Sequence, residues 1–257
     1  MKKTLAFAKL CQCREFTDDQ MILFRQFALD EEVNVNHFDS EGLTPLLNLT
    51  WNHRSVRLYE CIKILLSRPD LDINVKEMEE RANALAMVCR YYSDHKLYDI
   101  VELLLDHKIQ LDSKNKNDEN ALMGLCINYK KENITDIVRL LLSQPAVMQN
   151  LNAVNKDMGW NALVLLCYHY SGRNLLDVAR FLLEQGIQID TECNKNDNAL
   201  VAVCSNYKPD SLIDVVKLLI DSKIDVNWRN PTSGRNALIS LCKNYSGYNL
   251  EVIVKGK

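Results

Sequence analysis

Asn198-Ala199-Leu200-Val201-Ala202-Val203-Cys204-Ser205-Asn206-Tyr207 is one of five near-copies of a single ten-residue phrase. The phrase starts at Asn83, Asn120, Asn161, Asn198 and Asn236, at steps of 37, 41, 37 and 38 residues. Thr44-Pro45-Leu46 stands one step earlier, 39 residues before Asn83. Self-similarity at such a period marks a repeat architecture, in which each unit buries its apolar face against its neighbours. Asn is a good helix N-cap, because its side-chain oxygen accepts from an orphan amide of the first turn. Ala and Leu then begin a helix. Leu200, Val203, Cys204 and Tyr207 follow i, i+3, i+4, i+7, which predicts one buried face.

A second apolar helix is expected at Leu212–Ile220, with relatives at Leu97–Leu105, Ile134–Leu142, Leu175–Leu183 and, more weakly, Leu58–Leu66. Asp99, Asp136, Asp177 and Asp214 each follow the Cys of their unit by ten residues. That places a carboxylate in the first turn of the second helix, at the positive end of its dipole, for about 0.3–1 kcal/mol each. A fourfold Asp at a helix start reads as structure rather than catalysis. Ser211 and Asn174 are the expected caps. Between units runs a polar stretch that starts with apolar–polar alternation, as in Ile224-Asp225-Val226-Asn227. Turn formers sit at its tip: Gly42, Asp118, Gly159, Asn196 and Gly234. Each unit is therefore helix, loop, helix and a hairpin-like finger.

At this point the chain resembles the ankyrin repeat family, whose unit of about 33 residues is a turn plus two helices with a Thr-Pro-Leu-His-x-Ala signature. Thr44-Pro45-Leu46 matches the opening, and Asn-Ala-Leu takes its place in the other units. The apolar cores Ile100–Leu104, Ile137–Leu141, Val178–Leu182 and Val215–Leu219 and the finger start Ile224–Asn227 match as well. The resemblance implies an all-α fold, an ankyrin-type repeat solenoid of stacked helix pairs with hairpin-like finger loops. It covers the whole chain, 1–257, as a single ankyrin repeat domain. Residues 1–36 form a degenerate N-terminal helix pair. Repeats start near 44, 83, 120, 161, 198 and 236, and the last is incomplete. Two departures stand out. Tyr92, Tyr129, Tyr170, Tyr207 and Tyr245 replace the family's Gly, which suggests a first helix extended past its usual stop. The added length is expected between the two helices. The last unit stops at Leu250–Lys255, before its Leu-Leu core, so a fragment of a longer array is expected.

Composition narrows the function. Among 257 residues there are only 8 Gly and 5 Pro, too few for a turn-rich sheet fold. The net charge of -3 excludes the basic stripe of a duplex binder. No apolar run approaches the roughly 18 residues of a membrane helix. The apolar run before Lys9 falls below the 7–15 residues of a signal core. Nine cysteines without a disulfide pattern suit a reducing compartment, so a cytoplasmic or nuclear location is expected. Cys89, Cys126, Cys167, Cys204 and Cys242 form a ladder that reads as small, buried packing. Cys193, on a finger, is the thiol expected to be exposed. No HExxH, CxxC, phosphate loop or GxSxG occurs, and the five His do not cluster, so no catalytic residue, metal or cofactor is assigned.

What remains is a surface. The resemblance implies a non-enzymatic protein–protein interaction module, an adaptor, scaffold or inhibitor, whose concave groove and fingers hold a protein partner. The alternative is the ankyrin portion of a larger receptor, channel or ubiquitin-ligase component; a site built across repeats would make it an enzyme instead. The chain is expected to be monomeric, with no nucleic-acid partner. The two residues after each Cys face the groove in the family pattern. The partner-binding candidates there are Arg90, Tyr91, Asn128, Tyr168, His169 and Asn206, with Trp51 in the Thr44 unit. Trp160, Trp228 and Arg235 are the candidates on the fingers. Trp, Tyr and Arg are the residues that dominate interface hot spots.

Overall fold

The computed structural model describes residues 1–52, 54–190, 196–206 and 212–244. Among these the regular structure is helix alone. The chain divides into two compact units, Met1–Lys116 and Asn117–Lys257. The first holds three helix pairs: α1 (Lys2–Cys11) and α2 (Asp18–Leu29), α3 (Pro45–Asn52) and α4 (Leu58–Leu66), α5 (Ala84–Tyr91) and α6 (Leu97–Asp106). The second holds α7 (Ala121–Asn128), α8 (Ile134–Leu142), a short α9 (Pro145–Gln149), α10 (Ala162–His169), α11 (Leu175–Glu184), α12 (Ala199–Asn206), α13 (Leu212–Asp221) and α14 (Ala237–Asn244). Within each unit the first helices stack in order, α1 on α3 on α5, and α7 on α10 on α12 on α14. The second helices stack as a parallel row, α2 on α4 on α6, and α8 on α11 on α13. The unit is thus a solenoid of two helical layers joined by fingers.

The two layers are built differently. Second helices carry one apolar stripe: Leu97, Ile100, Val101 and Leu104 of α6 are buried, as are Ile134, Ile137, Val138 and Leu141 of α8. The same i, i+3, i+4, i+7 set recurs at Leu175, Val178, Ala179 and Leu182 and at Leu212, Val215, Val216 and Leu219. First helices are not one-faced, contrary to the sequence reading. Ala121 through Cys126, Ala162 through Cys167 and Ala199 through Cys204 are all buried. Of these, α10 and α12 each have a first helix on either side and their own second helix behind, so three of their sides are covered.

Every Asn at the phrase start caps its helix. Its Oδ1 accepts from the third amide on, Ala86, Met123, Val164, Val201 or Ile239, at 2.9–3.1 Å. In three repeats the same side chain also donates. The Nδ2 of Asn83, Asn161 and Asn198 reaches the carbonyls of Gln110, Gln188 and Asp225, at 2.8, 2.7 and 3.1 Å. Asn is the residue with both an acceptor and a donor at this reach, and all three side chains are buried. The cap therefore fixes the finger 27 residues downstream. Successive fingers are tied in turn. The side-chain oxygens of Asn36, Asn74, Asn152 and Asp190 accept from the amides of Asp72, Gln110, Gln188 and Asp225 at 2.7–2.8 Å. The apolar–polar alternation at each finger start is this ladder.

The tyrosines do not extend the first helix. Tyr92, Tyr129 and Tyr170 are extended C-cap residues whose amides close the last turn onto Val88, Leu125 and Leu166. The extended backbone turns each ring into the core. There the hydroxyls of Tyr92 and Tyr129 donate to the Ser55 carbonyl (3.1 Å) and to Asn133 Oδ1 (2.5 Å). Beneath the third tyrosine stands Gly172, where a Cβ would overlap the Tyr170 hydroxyl. Tyr207 and Tyr245 lie outside the described residues. Asn174 stands at the N-cap of α11 but does not cap it; its Nδ2 donates to the Glu132 carbonyl at 2.6 Å. The chain enters the second helices through a tight turn, Leu97 to Asp94 and Ile134 to Lys131, so the first amide is already satisfied by backbone. Ser211 and the Leu250–Lys255 stretch also lie outside the described residues.

Three of the second helices, α6, α11 and α13, stop on a left-handed residue. Lys108 (φ 57°), Gly186 (φ 89°) and Lys223 (φ 69°) occupy equivalent places. The next amides, Ile109, Ile187 and Ile224, reach back to Leu104, Leu182 and Leu219, the Schellman arrangement. A side chain at that φ costs about 1 kcal/mol relative to Gly. Lys108→Gly and Lys223→Gly are therefore each expected to raise stability by about that much, and Gly186→Ala to lower it, read as shifts of the denaturant midpoint. A null or opposite result at both lysines would show that the left-handed strain is relieved elsewhere. The unit from Asn120 lacks this stop. Instead α9 follows α8, opened by Pro145 at its first position. It accounts for the 41-residue step of this repeat.

Candidate protein-interaction surface

Side chains at the C-terminal ends of the first helices and on the fingers are partly exposed, as are the outer faces of the second helices. In the first unit Trp51, at the end of α3, and Tyr91, at the end of α5, are both half-buried. Their rings pack 5.0 Å apart at 33°. Register brings them together: stacking α3 on α5 sets side chains forty residues apart against one another. Arg90 precedes Tyr91 and is half-buried. Arg54 and Arg14 are both exposed, and the Arg54 amide donates to the Arg14 carbonyl at 2.8 Å. Burial, and then the like charge of Arg14, pull the Arg54 pKa down, and Tyr91 opposes this.

In the second unit Trp160 is buried (4% exposed) and lies 4.8 Å from Tyr168 of its own repeat, at 42°. Tyr168 in turn meets His169 edge-on at 4.9 Å. Trp160 thus supports the half-buried Tyr168 from behind, while His169 is exposed. Lys130 ties this end together, donating to the carbonyls of Ile127 and His169 at 2.9 and 2.5 Å. Asn128 is half-buried and its Nδ2 is buried with no hydrogen-bond partner. Asn206 is exposed at the end of α12, with a long contact of 3.5 Å to the Ala202 carbonyl.

Two finger candidates serve the array itself. The Trp228 Nε1 donates to the Asn196 carbonyl of the preceding finger at 2.9 Å. Arg235 pairs with Asp197 at 2.9 Å, and Asn230 donates to the other oxygen of that buried carboxylate at 2.6 Å. The structure therefore joins Trp51 with Tyr91, and Trp160 with Tyr168 and His169. It does not bring Trp228 or Arg235 to either group. Arg14 and Asp197 were not foreseen. Asp197 immediately precedes a cap Asn, a place where Glu119 and Trp160 stand in other repeats, so the pattern gave it no prominence.

The thiols are packing groups. Cys89, Cys126, Cys167 and Cys204 are buried, and Cys242 is exposed on α14. Burial pushes Cys126 and Cys204 up to about 12, and raises Cys167 as well. A thiolate is the reactive form, so alkylation of the native protein at pH 8 is expected at Cys242 and not at those four. Peptide mass spectrometry reads this directly, and rapid labelling of Cys126 or Cys167 would overturn it. Cys193 lies outside the described residues. Among the described residues no group of three or more His, Cys, Asp or Glu could hold a metal ion.

Two layers of stacked helix pairs, joined from one pair to the next by a finger, define a repeat solenoid. Residues 85–197 match the family model for ankyrin repeats, in three copies. Those residues carry ankyrin repeats, and the fold of the chain is the ankyrin fold. It is similar to the ankyrin repeat domain of human ASB11, at 17% identity and a TM-score of 0.67, covering 100% of this chain and 98% of that one. It is also similar to the ankyrin repeat domain of Bcl-3, a member of the IkappaB protein family, at 16% identity and a TM-score of 0.60, with 100% and 98% covered. No curated protein matches the sequence. No described helix is long and apolar enough to cross a membrane.

Proposed function

We propose that this chain is a non-enzymatic protein-interaction module, an adaptor, scaffold or inhibitor, that holds a protein partner on the ends of its first helices and the adjoining fingers. The Trp51–Tyr91 pair carries the reading. Two large aromatic rings stay half-exposed at a place where the helical layers have no further need of them. Other repeats fill the positions with unlike residues, Ile127 and Asn128 or Ser205 and Asn206, as a surface selected for contact rather than packing would do. Aromatic anchors of this kind dominate interface energies, at about 2 kcal/mol or more when truncated. Unreactive buried thiols suit action in a reducing compartment, in the cytoplasm or nucleus.

Affinity capture from a lysate of the source organism, read by mass spectrometry, tests this. The bait is the wild-type chain beside a Trp51→Ala, Tyr91→Ala, Tyr168→Ala variant whose folding is verified by circular dichroism. A partner retained by the first and lost by the second is the expected result. A partner kept equally by both would move the surface elsewhere, and turnover by the purified chain would end the non-enzymatic reading.

A further inference from the structure

We propose that the Tyr168–His169 end of the second unit takes an extended, uncharged segment of its partner, a main-chain carbonyl of which accepts from the Trp160 indole N–H; this deepens, and rests on, the protein-interaction reading above. Trp160 is 4% exposed, and its Nε1 is buried with no hydrogen-bond partner among the described residues. An indole nitrogen only donates, so a buried one left in that state is costly and calls for an acceptor. The other finger tryptophan shows the satisfied case: the Trp228 Nε1 donates to the Asn196 carbonyl at 2.9 Å. A second unmet donor stands in the neighbouring repeat. Asn128 closes α7, and its Nδ2 is likewise buried without a partner. Helix α7 stacks on α10, and Lys130 joins the two helix ends through the carbonyls of Ile127 and His169. Asn128, Tyr168 and His169 therefore share one end of the helical layer. Trp160 lies against Tyr168 there, with ring centroids 4.8 Å apart. Two unmet donors call for carbonyl oxygens, which an extended peptide presents at every residue. The place of Trp160 is taken by Glu119 and Asp197 in the repeats on either side, and both are buried. A carboxylate brought there meets like charge, and an uncharged carbonyl does not. The half-buried Tyr168 must turn aside to admit the segment, a side-chain change common at interfaces. The turned ring then packs on the segment.

Selection of a random peptide display library on the immobilised chain supplies the probes. Each selected peptide is titrated into the wild-type chain and into Trp160→Phe, which keeps an aromatic ring and removes the donor. The peptides are expected to bind Trp160→Phe about tenfold more weakly, to be poor in Asp and Glu, and to hold their affinity as salt is raised. In the wild-type chain with isotope-labelled tryptophan, they are expected to move the Trp160 indole N–H resonance and leave that of Trp228 in place. That spectrum decides by itself should Trp160→Phe fail to fold. Peptides that bind Trp160→Phe as they bind wild type, that leave the Trp160 signal in place, or that are acidic and salt-sensitive would overturn the carbonyl proposal. If those peptides are lost on the Trp51→Ala, Tyr91→Ala, Tyr168→Ala variant, the interaction reading still stands. If they are kept by it, or if no peptide binds, both fall.

Discussion

Tyr92→Ala is expected to destabilise the first unit by about 3–5 kcal/mol, the range for emptying a fully buried aromatic site. Tyr92 is 0% exposed, and its hydroxyl reaches the loop between α3 and α4 of the preceding repeat. Tyr92→Phe keeps the ring and removes only the hydrogen bond to the Ser55 carbonyl, so about 1 kcal/mol is expected. Chemical denaturation of both variants separates the terms. If Tyr92→Ala cost no more than Tyr92→Phe, the ring would be shown to contribute little packing, and its role would reduce to that one bond.

The second large effect is at Asn161, fully buried in the second unit. Asn161→Asp keeps an acceptor for the Val164 amide but removes the donor to the Gln188 carbonyl. It also sets a buried anion against that carbonyl oxygen. The helix dipole returns at most about 1 kcal/mol. An unsatisfied buried carbonyl and a desolvated charge together cost more, and a net loss of about 3 kcal/mol at neutral pH is expected. The sign of the pH dependence follows. Burial raises the pKa of the introduced carboxyl above its unfolded value of about 3.9, and its protonated form can donate to Gln188. Its favourable contribution is full below the unfolded value and is lost as pH rises through the folded one. The stability gap to wild type should therefore widen from pH 4 to pH 7. Asn161→Ala, which has no titrating group, should show a flat gap. A flat gap for both would mean that the carboxyl reaches solvent.

These two sites also show what the sequence made legible. The phrase beginning with Asn repeats because every repeat must solve the same stacking problem, so the helix starts, the second-helix stripe and the finger positions were all readable. The donor half of the Asn side chain was not, because a cap needs only its oxygen. The first-helix face was misjudged because i, i+3, i+4 spacing presupposes solvent on the other side. A helix enclosed by two neighbours and a partner has little such side, and its residues become apolar all round. The tyrosine was misplaced because a ring following an apolar run continues the helical period; only the extended backbone at Tyr92 and Tyr129 turns it inward. Of the site, the residue types were legible and their grouping was not. Trp51 meets Tyr91 through the stacking of two helices, and Arg14 reaches Arg54 through a loop backbone bond; neither contact leaves a mark in local sequence.

The short helix α9 bears on how such an array changes over generations. It is inserted between α8 and a finger, yet the Asn152–Gln188 bond from that finger to the next still forms. The added turn packs against α8 and leaves that tie between fingers intact. The join between a second helix and its finger is therefore a place where lineages can lengthen one repeat without renegotiating the others, and where a foreign peptide can be grafted with the least disturbance.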